Sequence, residues 1–128
     1  MKSFDSFLHP ERKPNLKFKL SSFPDEFEMR QLSAEEDREI IKKINESKEK
    51  DASDALIHYI AESLVVPDLH NADFLKSLSE IKGRRILNPV DALLAFTTSG
   101  ELQSIIKAYI NYSDVAISFS DKVEDAKN

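Results

Sequence analysis

Three histidines, His9, His58 and His70, are the side chains of this sequence best suited to proton transfer or metal binding near neutral pH. His58 and Glu62 lie four residues apart in a stretch with helical apolar spacing, so both can face one ion. Ordinary zinc sites take at least three protein ligands, more than this pair supplies. The pair therefore reads as a surface histidine next to a helical glutamate. Asp68, His70 and Asp73 gather where a helix is expected to start, and the helix macrodipole alone favours acidic groups there. The absence of cysteine removes disulfides, thiolate zinc sites and cysteine nucleophiles. Gly83 and Gly100 are the only glycines, too few for a glycine-rich phosphate loop, and no G-x-S-x-G elbow occurs. Lys82-Gly83-Arg84-Arg85 is the one basic cluster, and it falls at an expected helix C-terminus, where cations are ordinary dipole partners. These residues give no catalytic, cofactor-binding or metal-binding assignment. The expectation is a protein that is not an enzyme and needs no cofactor.

The composition fits that expectation. With 18 basic and 23 acidic residues the formal net charge is −5, and the excess is spread along the chain: residues 1–64 carry 11 basic and 14 acidic side chains, residues 65–128 carry 7 and 9. An acidic, evenly distributed balance argues against nucleic acid as a partner, since phosphates are held by excess Lys and Arg. No apolar run approaches the roughly 20 residues that span a bilayer, so no membrane partner is expected. The start, Met1-Lys2-Ser3-Phe4-Asp5, lacks the apolar core of a signal peptide, which makes the cytoplasm the expected location. At 128 residues, the chain is the size of one domain.

Residues 1–15 read as a flexible N-terminal arm in which Phe4, Phe7 and Leu8 form at most one apolar turn before Pro10. Leu16-Lys17-Phe18-Lys19-Leu20 and Phe27-Glu28-Met29-Arg30 alternate with period two, as half-buried strands do. Ser21-Ser22-Phe23-Pro24-Asp25 supplies the turn between them, so Lys17 and Lys19 should share a face with Glu28. Ser33-Ala34-Glu35-Glu36 is a capping box opening a helix with Ile40, Ile41 and Ile44 on one face. Residues 45–51 read as an exposed linker. The next helix carries Leu56, Ile57, Ile60, Ala61 and Leu64 and should end at Pro67. Asn71 caps a helix with Phe74, Leu75, Leu78 and Ile81, closed by Gly83. Asn88-Pro89 opens another, burying Val90, Leu93 and Leu94. Thr98 or Ser99 opens the last, with Leu102, Ile105, Ile106, Tyr109 and Ile110. The expected fold is α+β and mostly α-helical: an N-terminal β-hairpin packed on a bundle of about five helices. Residues 16–112 form the single globular domain and 113–128 a flexible C-terminal tail.

Within that tail Val115, Ile117 and Phe119 alternate like a strand, and Asp121–Asn128 reads as a short acidic helix or frayed end. The three apolar residues either tuck back onto the core or wait for a partner strand or groove, and they are the candidate protein-binding residues. An acidic helical chain with apolar clusters in both terminal segments reads as a binding module. A small adaptor or regulator acting on a host protein is one such module.

The run from Phe27 through Ser33-Ala34-Glu35-Glu36-Asp37 resembles the strand-to-capped-helix segment of phage tail assembly chaperones of the XkdN-like type. Val65-Val66-Pro67-Asp68-Leu69-His70-Asn71-Ala72-Asp73-Phe74-Leu75 is similar to that family's Pro-Asp-Leu turn and following helix. Gly100-Glu101-Leu102 and Ile110-Asn111 are similar to its closing segment. The matching pieces keep their order across residues 16–112; Lys82–Asn88, with its double Arg, departs from the pattern and takes no role from it.

The resemblance implies a non-catalytic chaperone of a long-tailed phage or prophage. Its partner would be the tape measure protein, a long helical chain kept soluble until tail tube protein polymerises around it. Many family members also occur as a longer form made by programmed frameshifting, whose extension recruits the tube protein. Ala126-Lys127-Asn128 can be encoded by codons that contain the slippery heptamer A AAA AAC, which would place such a shift here. A homo-oligomer, as a ring or spiral, would suit a protein that coats a long chain.

Overall fold

A computed structural model of the chain describes residues 2–46 and 52–114. The two alternating segments form strands β1 (Leu16–Phe18) and β2 (Phe27–Met29), paired antiparallel with Leu16 opposite Met29, Lys17 opposite Glu28 and Phe18 opposite Phe27. Period-two alternation turns Phe27 and Met29 into the core, while the Glu28 carboxylate stays near the surface and accepts a hydrogen bond from Asn15 Nδ2 at 2.9 Å.

A third strand, β3 (Leu64–Val66), pairs antiparallel with the other side of β2, giving the order β1-β2-β3. The helix expected to run on to Pro67 therefore stops at Ser63, and Leu64 belongs to the sheet. Two local causes favour this ending. Val65 and Val66 are β-branched and fit a pleated surface better than a helix end. The Arg30 N–H also donates to the Ser63 carbonyl at 2.9 Å, drawing the chain toward β2.

Six helices complete the described residues: α1 (Lys2–Leu8), α2 (Ala34–Glu46), α3 (Ala52–Ser63), α4 (Ala72–Lys82), α5 (Pro89–Phe96) and α6 (Ser99–Ser113). Their ends follow the capping residues. Ser33 and Glu36 form the expected reciprocal pair, with Ser33 N–H to Glu36 Oε1 at 2.9 Å and Glu36 N–H to Ser33 Oγ at 3.0 Å. Asn71 and Asn88 accept from the amides of Phe74 and Asp91. Thr98, rather than Ser99, caps α6 and forms a second capping box with Glu101. Gly83 closes α4 at φ 69°, a left-handed conformation that glycine adopts without steric penalty. The first helix forms within the arm and ends ahead of Pro10.

The centre of the molecule is α3, which packs against α2, α5 and α6, while α4 leans on α5. Ile60, Ala61 and Leu64 disappear into a core shared with Phe27, Met29, Leu69, Ile86, Leu93 and Ile105. Phe18, Phe23, Phe27, Phe74 and Phe96 join the sheet to the helices through stacked and edge-on ring contacts, with centroids 5.2–6.3 Å apart. Not every expected core residue is inside. Ile41, Ile81, Leu94 and Ile110 are exposed, and Ala92, Ala95 and Tyr112 are buried instead. In α2, α4, α5 and α6 the apolar stripe is wider than the cover its neighbours give, so the stripe's edge stays in solvent. Val115, Ile117, Phe119, the acidic stretch Asp121–Asn128 and linker residues 47–51 lie outside the described residues.

Candidate protein-binding site

The most heavily tied part of the surface is the junction of β2, α2 and α3. Arg30 leaves β2 and grips Glu36 with both guanidinium nitrogens, at 2.9 and 2.6 Å, while Glu36 also completes the α2 capping box. The Arg30 hydrogen bonds, followed by the backbone amide of Ser33, hold the Glu36 carboxyl down to about 2, and the same pairing raises Arg30. Beside this clasp lies an open groove of about 580 Å³ between the start of α2 and the end of α6, lined among others by Arg12, Arg30, Asp37, Tyr109 and Tyr112. Within it the Arg30 charge is already matched by Glu36. Burial, and then the hydrogen bond to Asp37, push the Tyr59 hydroxyl up to about 12; burial likewise raises Tyr109 and Tyr112. Such phenols act as neutral hydrogen-bond donors at physiological pH.

At the mouth of that groove the N-terminal arm is fastened to the end of α6. Tyr112 donates its hydroxyl to the Pro14 carbonyl at 2.9 Å. Lys13 Nζ donates to the Tyr112 carbonyl at 3.0 Å and to the Asp114 carbonyl, and sits 5.9 Å from the Tyr112 ring centroid. Residues 12–14 and 112–114 are thereby neighbours although about a hundred positions apart in sequence. Further along, Ser22 Oγ donates to Glu101, fixing the turn after β1 against the start of α6. No short-range sequence pattern announces either tie.

The histidine and carboxylate candidates are brought together only in part. Glu62 faces His70 across 3.0 Å rather than sharing an ion with His58. Asp68 is occupied in its own turn, its carboxylate accepting from the His70 amide at 2.9 Å, and Asp73 sits in the first turn of α4. Among the described residues no three of His, Asp and Glu stand close enough to hold a metal ion. Lys82, Gly83, Arg84 and Arg85 are all exposed around the α4 C-cap.

Several large apolar side chains among the described residues are exposed. A shallow groove of about 180 Å³ is lined by Phe23, Phe27, Val66, Pro67, Phe74 and Phe96, next to β3. Ile81 near the end of α4 is 79% and Leu87 in the α4–α5 connection 68% exposed, and Leu94, Ile41 and Ile110 are open as well. Phe4, Phe7 and Leu8 are exposed along α1. Ile41, Ile81, Leu94 and Ile110 carry the same helical spacing as the core, which is why sequence spacing assigned them to the interior. Isolated apolar side chains on a surface need no explanation, but Ile81 and Leu87, six positions apart and the most exposed of those beyond α1, are candidates for protein contact. Among the described residues no helix is long and apolar enough to cross a membrane.

No curated protein and no solved structure matches this chain. The model of the family described as phage XkdN-like tail assembly chaperone protein, TAC, does match, over residues 4–127. That span takes in the three-stranded sheet, the clasp, every helix from α2 to α6 and most of α1. The chain belongs to the phage XkdN-like tail assembly chaperone family.

Proposed function

We propose that this chaperone binds the tape measure protein of its phage or prophage in the bacterial cytoplasm, keeps it soluble, and helps bring tail tube protein to it, without catalysis. The observation that carries the reading is the set of exposed apolar side chains: Ile41, Ile81, Leu94 and Ile110, which stand at helical core spacing, and Leu87 in the α4–α5 connection. A long helical client presents apolar stripes that water disfavours. Exposed Ile and Leu on the chaperone cover such a stripe by the helix-in-groove mode, in which anchors recur every three or four residues. The net charge of −5 then keeps the joint particle dispersed. The aromatic groove beside β3 offers a second place for an anchor.

Val115, Ile117 and Phe119 belong to the proposal as further partner contacts, and 113–128 as the segment that joins residues 16–112 to a frameshifted extension recruiting tube protein. Self-association into a ring or spiral would let several copies cover one client. Co-expression tests the reading. The tape measure protein is produced alone and together with this chain, and its soluble fraction and co-purification are measured. A several-fold rise in soluble tape measure protein with stable co-purification is expected. Equal insolubility in both cultures, with no complex, overturns it.

A further inference from the structure

Charge around the α4–α5 connection runs against that of the whole chain. Residues 76–87 carry four basic side chains, Lys76, Lys82, Arg84 and Arg85, and one acidic one, Glu80, in a protein with 18 basic and 23 acidic residues. The helix macrodipole accounts for Lys82, in the last turn of α4, but Arg84 and Arg85 lie beyond the Gly83 cap. All three are exposed, and both ion pairs among the described residues, Arg30–Glu36 and His70–Glu62, lie elsewhere. The backbone that carries them is pinned by Ser79. Its carbonyl accepts from the amides of Gly83 and Arg84 at 2.9 and 3.2 Å, and its Oγ accepts from the Ile86 amide at 2.9 Å while donating to the Leu75 carbonyl at 2.7 Å. Ile86, 1% exposed, plugs into the core, and its neighbours Arg85 and Leu87 remain outside. The free cations and the exposed Ile81 and Leu87 therefore share one anchored segment, which lowers the ordering cost of binding there.

We propose, on the reading that exposed side chains here bind a helical client, that this surface takes an amphipathic helix whose apolar stripe is flanked by Asp and Glu. The client's apolar side chains meet Ile81 and Leu87, and its carboxylates meet Lys82, Arg84 and Arg85. Charge complementarity selects this occupant. A helix with basic flanks gains from Ile81 and Leu87 but is repelled by the three cations, whereas acidic flanks gain from both, and the Arg forks suit carboxylates. Nucleic acid offers phosphates to the cations and nothing comparable to Ile81 and Leu87, and the net charge of −5 opposes it. The chain's own α2, with Glu35, Glu39 and the exposed Ile41, is a rival acidic helix, so self-association is measured as well.

Two helical peptides with the same Leu stripe, one flanked by Glu and the other by Lys, are titrated at low salt against the full-length native chain and two variants. Arg84→Glu/Arg85→Glu alters the surface, and Lys17→Glu/Lys19→Glu makes the same change of net charge at exposed positions in and beside β1. The native chain should bind the Glu-flanked peptide about tenfold or more tighter than the Lys-flanked one, against the sign of its own net charge. Arg84→Glu/Arg85→Glu should abolish or reverse that preference, and Lys17→Glu/Lys19→Glu should keep it. Should the charge-reversed variant not fold, Arg84→Gln/Arg85→Gln is read in its place and should lose the preference. No binding of either peptide, equal binding of both, a preference for Lys flanks, or the same loss in both charge-reversed variants overturns the proposal. Tighter binding of a single-stranded DNA oligonucleotide overturns it too, as does self-association in sedimentation that Arg84→Glu/Arg85→Glu removes. The identity of the client is read separately. Tape measure protein that fails to co-purify, with the peptide preference intact, contradicts that identity alone, whereas tape measure protein captured equally well by Arg84→Glu/Arg85→Glu contradicts the charge assignment alone.

Discussion

Helices α3 and α4 are of similar length and carry the same kind of apolar stripe, yet the two stripes meet different fates. In α3, Ile60 and Ala61 are fully enclosed because α2, α5 and α6 all pack around that helix. In α4, Leu78 is buried against α5, but Ile81, one turn further on, stands 79% exposed. The same spacing thus serves packing in one helix and leaves a surface available for a partner in the other. What decides is the number of neighbours, a property of the whole fold that no stretch of sequence states. On the proposed reading, one stripe folds the chaperone itself and the other covers a helical client.

The contrast can be broken from the core outward. Ile60→Ala should lower unfolding stability by about 2–5 kcal/mol in urea melts, because it opens a cavity where the fold is most crowded. A loss below about 1 kcal/mol would mean that α3 is not the hub described here. Removing a cap acts on one helix end only: Thr98→Ala takes the side-chain acceptor from the α6 N-terminus and should cost about 1 kcal/mol, seen as a lower melting temperature.

The clasp gives a pH-dependent version of the same experiment. Glu36 has a carboxyl pKa depressed from the ordinary 4.5 to about 2 by Arg30 and the Ser33 amide, so its stabilisation is complete above about pH 4.5 and is lost as pH falls toward 2. The side chain is 39% exposed, so solvent screening limits the contribution to about 1 kcal/mol or less. Glu36→Gln should lower stability at pH 7 and converge with the parent protein below about pH 2. Parallel stability curves across that window would count against the clasp. The smallest effect is expected at the open stripe, where Ile81→Ser should change stability by less than about 0.5 kcal/mol.

Much of the fold was legible because local rules happen to agree with the global ones. The alternation at Leu16–Leu20 and Phe27–Arg30 marks where β1 and β2 begin, although they end earlier, at Phe18 and Met29; the Ser33–Glu36 box, Asn71, Asn88-Pro89, Thr98 and Gly83 mark helix ends that the structure keeps. Leu64–Val66 was misread because a short apolar run reads equally well as the end of a buried helix or as a strand. The Arg30–Ser63 contact that favours the strand spans more than thirty positions. The tie of Lys13 and Pro14 to Tyr112 and Asp114 was out of reach for the same reason, being a meeting of chain ends. At the candidate site, sequence supplied the residue types at Ile81 and Leu94 but placed them inside, since spacing records an apolar stripe and not how wide its cover will be.

The most direct test of the proposed function, that the uncovered apolar side chains around the end of α4 bind the client, is the affinity of purified tape measure protein segments for the native chain and for Ile81→Ser/Leu87→Ser. The account predicts binding by the native chain, a loss of about tenfold or more in the variant, and matching melting temperatures, since neither side chain supports the core. Undiminished binding by a stably folded variant would contradict it, as would a native chain that binds no tape measure segment at all.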